Sequence, residues 1–185
     1  MIIQLDINQK EYHHDIAKLV HDAFPWTYTT PEEALYEALS LLKEDYLLFG
    51  YLYNELIIGI VGARPQYGIT GWELHPLIVD RDFRGQKIAT QLMGKIEDEV
   101  RHKGGIVMYL GSDDEHNRTS LSNVDLFENT FEAIKQIKNL RNHPYGFYEK
   151  INYQIVGVIP DANGFDKPDI LMAKRLVDRP KSSSD

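Results

Sequence analysis

The sequence predicts a mixed α/β (α+β) fold, with a mostly antiparallel central sheet flanked by helices. Three observations carry this. Apolar runs at 46–53 and 56–63 meet at Asn54-Glu55, the pattern of a hairpin. Apolar residues recur at helical spacing in 10–24, 85–103 and 126–140, between the strand-like stretches. Pro76 interrupts the strand-like stretch 72–80. Proline removes a ladder donor, so a bulge is expected there, with the sheet splayed beside it.

In chain order, residues 2–6 alternate as a short opening strand. Ile16, Leu19, Val20 and Phe24 form the apolar stripe of a first helix over 10–24. Thr30-Pro31-Glu32-Glu33 is a helix start: a threonine cap, proline at the first helical position and acids in the first turn. That helix continues through Leu35, Ala38 and Leu42, and an aromatic loop containing Trp26 precedes it. After the hairpin and the 72–80 strand, a helix over 85–103 buries Ile88, Leu92, Ile96 and Val100 and stops at Gly104-Gly105. A strand over 106–110 follows. Leu126, Phe127, Phe131, Ile134, Ile137 and Leu140 form a stripe suited to a core or a dimer interface. A short helix over 143–150 and strands over 153–159 and 170–176 close the chain. Residues 1–178 read as one domain, and 179–185 as a flexible tail without an apolar anchor.

Composition narrows the function classes. Hydrophobic residues at 43% and charged residues at 26% are those of a globular chain rather than a disordered one. The absence of cysteine excludes a disulfide framework, a thiolate nucleophile and cysteine-based zinc ligation. No signal peptide or membrane-spanning run is evident, so a cytoplasmic protein is expected, without membrane association. A net charge of −8 argues against nucleic acid as partner and favours a cationic one, although it also serves solubility. The His residues lack ligand-like spacing, so no metal site is expected.

Two segments carry chemistry. The strand-to-helix junction 79–90 would present unpaired backbone N–H groups and the positive end of a helix dipole, with Arg84 and Lys87 adding charge and Gly85 permitting close approach. This suits a pyrophosphate, and it also describes an ordinary turn with solvated basic residues. Glu73 and His75, two apart on one strand, emerge on the same face beside the Pro76 bulge. A carboxylate and an imidazole at a sheet opening are candidates for proton transfer. The bulge frees the N–H groups of Leu77 and Val79 for an extended ligand.

Together these segments resemble the GNAT superfamily of N-acetyltransferases. Its pyrophosphate signature appears as Arg84-Gly85-Gln86-Lys87-Ile88-Ala89, with Lys87 where glycine is usual, and Phe147-Tyr148-Glu149-Lys150 is similar to its late helix. Longer blocks are similar to the chromosomal-type aminoglycoside 6'-N-acetyltransferases of Gram-positive bacteria: 65–77, 104–114 and 157–169. The resemblance implies a GNAT-like fold, acetyl-CoA as cosubstrate, a homodimer and transfer of acetyl to the 6'-amine of an aminoglycoside by direct attack in a ternary complex. It implies Glu73 as general base through water, His75 as an aid in shaping the site or relaying the proton, Leu77 N–H as carbonyl polariser and Tyr148 as proton or hydrogen-bond donor to the departing thiolate. Leu77, Ile78, Val79, Arg84, Gly85, Gln86, Lys87, Ile88, Ala89, Thr90 and Tyr148 would bind the cosubstrate. Trp26, Tyr67, Glu73, His75, Asp113 and Asp114 would bind the acceptor. Polyamine, peptide or protein-lysine acetylation, and a non-catalytic CoA-binding module, stand as alternatives.

Overall fold

The structure is a computed structural model and describes residues 1–180; the last five residues of the expected tail lie outside the described residues. The chain divides into two compact units, Met1–Ile106 together with the stretch from Leu176 onward, and Val107–Arg175.

The first unit is a four-stranded antiparallel sheet in the order β1 (Ile2–Leu5), β2 (Leu47–Tyr53), β3 (Leu56–Tyr67) and β4 (Gly71–Val79). The β2–β3 hairpin turns at Asn54 and Glu55, both at positive φ (47° and 65°), which gives the turn the twist of its strands. Adjacent strand residues point to opposite faces, and the helices divide accordingly. On one face α1 (His13–Ala23) and α2 (Pro31–Ser40) bury Ile16, Leu19, Val20, Ala34 and Ala38 against Leu48, Ile60 and Ile78. On the other lies α3 (Ile88–His102), with Lys95 over the Phe49 ring and Leu92 against Gly59.

The cap of α2 is reciprocal. Thr30 Oγ1 accepts from Glu33 N–H at 3.2 Å, and Glu33 Oε2 accepts from Thr30 N–H at 3.1 Å. Ala34 and Ala38 then pack the helix down, and Glu37, between them in sequence, stays partly exposed.

The bulge expected at Pro76 is present. Val61 pairs with Leu77 and Ala63 with Leu74, so Gly62 alone opposes His75 and Pro76. The bulged strand presses close: a Cβ at Gly62 would meet the His75 carbonyl oxygen at 2.5 Å. Only glycine fits there.

The second unit is a three-stranded antiparallel sheet in the order β5 (Val107–Asp113), β7 (Asp169–Arg175) and β6 (Gln154–Ile159), with α4 (Leu126–Lys135) and α5 (Tyr145–Lys150). Two expectations change here. The helix expected over 126–140 ends at Lys135 and is kinked at Asn129, whose φ/ψ (−155°, 45°) are not helical. Its stripe is also not core: Leu126 is buried, but Phe127 and Phe131 are 72% and 81% exposed. In the first unit, α3 begins at Ile88 rather than at residue 85. Gly85 and Lys87 both have positive φ (79° and 62°), which no helix accommodates.

Candidate active site

In the first unit Glu73 and His75 line a cleft of about 490 Å³ with Tyr28, Glu37, Tyr46 and Arg64, and with Lys43 and Asp45 at its exposed edge. Arg64 on β3 stands directly opposite Glu73 on β4. Its Nε donates to Glu73 Oε2 at 2.8 Å, and Gln66 Nε2 donates to the same oxygen at 2.8 Å. The Arg64 guanidinium lies 5.5 Å from the Tyr46 ring centroid. The carboxylate is therefore held by two donors on one oxygen.

His75 pairs elsewhere. Its Nε2 is 3.6 Å from Glu37 Oε1, a carboxylate whose side chain is only 20% exposed. Tyr28 hydrogen-bonds the same carboxylate, and its hydroxyl pKa is raised, first by burial and then by the charge of Glu37. Tyr46 is raised as well, chiefly by burial. Both phenols stay protonated at neutral pH and act as donors.

The junction after β4 has the features of an anion site. Asp80 N–H donates to Ile58 of β3 at 2.9 Å, so by strand alternation Leu77 and Val79 direct their N–H groups to the edge away from β3. Arg84 Nε folds back onto the Val79 carbonyl at 3.0 Å, which fixes the start of the loop. Lys87 adopts the left-handed conformation that glycine adopts most readily, at the signature position where glycine is usual. Unlike α1 and α2, α3 has no acid in its first turn, and unlike α2 it has no side-chain cap. The N–H groups of Ile88, Ala89 and Thr90, the latter two more accessible, carry the positive end of its dipole. Gln86 is exposed in the same loop. A separate pocket of about 400 Å³ joins Ile78, Val79 and Arg84 to Lys18 and His21 of α1.

Trp26 and Tyr67 are 83% and 70% exposed, so neither is a core residue. The Tyr67 ring lies across Gly71, whose missing side chain makes room for it.

In the second unit Tyr148 is half-buried, with ring contacts to Phe147 (5.2 Å) and Tyr153 (5.7 Å). Burial raises its hydroxyl pKa far above the ordinary tyrosine value. Asp113 ends β5 and accepts from Asn163 Nδ2 at 2.6 Å. Asp114, expected at the acceptor opening, is fully buried and does other work. It accepts from Arg118 N–H (2.6 Å), Thr119 N–H (2.8 Å) and Ser122 Oγ (2.5 Å), so its oxygens hold the following loop together. Burial works against its charge, yet these donors outweigh it and hold the carboxyl below its ordinary pKa. His143 is likewise structural. Its Nδ1 accepts from Tyr145 N–H and its Nε2 faces the Asp113 carbonyl at 3.0 Å, so the ring is the neutral Nε2–H tautomer, and burial lowers its pKa.

Nothing in the local sequence marks Arg64, Gln66, Tyr46 and Glu37 as lining or bonding in this cleft. Arg64 and Gln66 were accessible in principle from the β3–β4 hairpin, but two register shifts in that ladder hide the pairing. Glu37 reaches the cleft only because α2 folds over the sheet. Among the described residues no group of three His, Asp or Glu is placed to hold a metal ion, and no helix is long and apolar enough to cross a membrane.

The chain matches the acetyltransferase (GNAT) family over residues 13–131. No curated protein matches it. It is similar to a solved aminoglycoside 6'-N-acetyltransferase complexed with coenzyme A, at 42% identity over 97% of this chain and 99% of that one, TM-score 0.92. It is similar to the aminoglycoside 6'-N-acetyltransferase from Enterococcus faecium, at 42% identity with the same coverage and a TM-score of 0.91. A third structure, aminoglycoside 6'-acetyltransferase type Ii, is 36% identical over 97% and 99% of the two chains, TM-score 0.78. With a family match across most of its length and near-complete coverage of these structures, the chain belongs to the acetyltransferase (GNAT) family.

Proposed function

We propose that this acetyltransferase acylates the 6'-amine of aminoglycosides by direct attack on acetyl-CoA in a ternary complex. The observation that carries the reading is the β4 strand: a held carboxylate at Glu73, a bulge at His75-Pro76, and N–H groups of Leu77 and Val79 directed to the edge away from β3. The similarity to aminoglycoside 6'-N-acetyltransferases over nearly the whole chain supports the acceptor. It also supports residues 1–178 acting as one acetyltransferase domain.

Acetyl-CoA supplies an acetyl group activated as a thioester. Arg84, Lys87 and the N–H groups of Ile88, Ala89 and Thr90 hold its pyrophosphate, with Gly85 and Gln86 lending backbone to the same loop. Ile78 and Val79 hold the pantetheine. Leu77 N–H stabilises the negative charge that develops on the carbonyl oxygen. Glu73, through Oε1 or a water, accepts the proton that the attacking amine loses. His75 orders the acceptor side of the cleft. As the C–N bond forms and the C–S bond breaks, Tyr148 donates its proton to sulfur and is later reprotonated from solvent. The role of Tyr148 rests on its place in the Phe147-Tyr148-Glu149-Lys150 motif and on a hydroxyl kept protonated by burial. Trp26 and Tyr67 offer exposed rings to sugar faces, and Asp113 is an exposed acid for an ammonium. Asp114 is withdrawn from this set because its oxygens are already taken.

Homodimerisation is part of the reading. It is supported by the exposed Phe127 and Phe131 on α4 and Val156 and Ile159 on β6. The cytoplasm, where acetyl-CoA is available, is the proposed place of reaction.

The test follows free CoA release with acetyl-CoA and a panel of acceptors: kanamycin and tobramycin against spermine and lysine-rich peptides. Turnover at least tenfold higher in kcat/KM on the aminoglycosides is expected. No turnover on any acceptor carrying a 6'-amine refutes the substrate; no turnover on any amine refutes the enzyme.

A further inference from the structure

The acceptor proposed above carries several ammonium groups, and only one of them reacts. The others need anionic partners. Asp113 in the second unit is an exposed acid, and the carboxylates of the first-unit cleft differ in what already engages them. Glu73 Oε2 already faces the Arg64 guanidinium and the Gln66 amide, so its charge is compensated by a resident cation. Asp45 is at the exposed edge, where solvent screens it.

Glu37 differs from all of them. It comes from α2, held by the Thr30 cap and by the packing of Ala34 and Ala38, and its side chain is mostly buried. Around it stand His75 at 3.6 Å and the Tyr28 hydroxyl, and Tyr46 also senses its charge. Neither His75 nor Tyr28 is a permanent cation, in contrast to the Arg64 partner of Glu73. The walls beside it are the Tyr28 and Tyr46 rings, which suit the flat face of a sugar and the flank of an ammonium.

Resting on the acetyltransferase reading, we propose that Glu37 is a specificity-determining residue that binds a second, non-reacting ammonium of a polycationic acceptor. The two carboxylates thereby divide the work. Glu73, with its cation already in place, serves the reacting amine, which must be neutral to attack. Glu37 selects acceptors that bring a further charge. Its contact to His75 ties that selection to the strand carrying Glu73, because residues 73 and 75 share one side of the cleft.

The test compares wild type, Glu37→Gln and Glu37→Asp with tobramycin and with a 6-amino-6-deoxyhexose that carries one amine. A charge-assisted hydrogen bond is worth about 1.5–3 kcal/mol, so Glu37→Gln should raise the tobramycin KM roughly ten- to a hundredfold. The acetyl-CoA KM and the melting temperature should stay unchanged, and the single-amine KM should move less than threefold. Glu37→Asp should recover much of the loss, and the salt dependence of tobramycin kcat/KM should flatten in Glu37→Gln alone. A tobramycin KM within twofold of wild type overturns the proposal while leaving the acetyltransferase reading intact. Equal losses on both acceptors, or equal losses in Gln and Asp, also overturn it, because charge recognition is then not the cause. If wild type turns over no amine, calorimetric titration with tobramycin and with spermine decides. Binding weakened tenfold or more by Glu37→Gln sustains the inference without the reaction, and binding that is absent or unchanged ends it.

Discussion

Tyr148 has its hydroxyl pKa raised by burial, and the sign of that shift matters. Desolvation disfavours the phenolate, so the side chain remains a proton donor through and beyond the ordinary tyrosine range. The pH profile of kcat should accordingly show no alkaline limb from this group below about pH 10. Tyr148→Phe should lower kcat about a hundredfold, with both KM values within threefold of wild type, as expected for a lost general acid. Steady-state kinetics across pH 6–10 check both outcomes. An alkaline limb below pH 10 that vanishes in Tyr148→Phe would show a hydroxyl far less shielded than the structure has it. Asp114 is the opposite case: its type and its place after a strand suggest an acceptor contact, yet three donors within 2.8 Å make it an organiser of its own loop.

The β4 bulge owes its shape to its neighbour as much as to its own proline. Pro76 lies where the ladder changes register, but the strand can bulge inward only because Gly62 on β3 has no side chain. Gly62→Ala would drive a Cβ into the His75 carbonyl, a backbone atom with no freedom to rotate away. Overpacking of this kind costs about 1–3 kcal/mol and displaces His75 and Leu77 together. A lowered melting temperature with kcat/KM reduced at least tenfold is expected. The contrast is Gly94→Ala in α3, where nothing lies within 4 Å of the added methyl. There alanine should stabilise by up to about 1 kcal/mol and leave activity alone. Equal behaviour of the two variants in thermal denaturation would contradict the close approach. In α3 itself the hydrophobic stripe extends back to Ile88, while the positive φ of Gly85 and Lys87 delays the helix to that residue. Apolar spacing reports which face is buried. It does not report where the backbone changes handedness.

For the whole molecule, the net charge of −8 suits a cationic acceptor and opposes an anionic cosubstrate, so the proposed cosubstrate site relies on local positive charge at Arg84, Lys87 and the start of α3. The other collective property is the apolar surface of the second unit, where Phe127 and Phe131 stand on α4 and Val156 and Ile159 on β6. Exposed apolar side chains of this size suit an interaction surface, and a second copy of the chain is its proposed occupant. Light scattering coupled to size exclusion should give about twice the 21.4 kDa chain mass for wild type and the single chain mass for Phe131→Asp. A wild-type mass equal to one chain would exclude the dimer.

Much of this protein is written locally. The cap at Thr30, the hairpin turn at Asn54-Glu55, the bulge at Pro76 and the acetyltransferase loop at 84–89 each depend on residues a few positions apart, so their chemistry can be read in order. The partners of the functional side chains cannot. Arg64 meets Glu73 through a ladder that shifts register twice, and Glu37 meets His75 because a helix crosses a sheet 38 positions earlier in the chain. Sequence spacing states which face a side chain leaves from, and packing decides what it then touches. For that reason the acetyltransferase family was legible in the sequence through its resemblance, whereas the partners of Glu73, the place of Glu37 in the cleft and the burial of Asp114 required the folded chain.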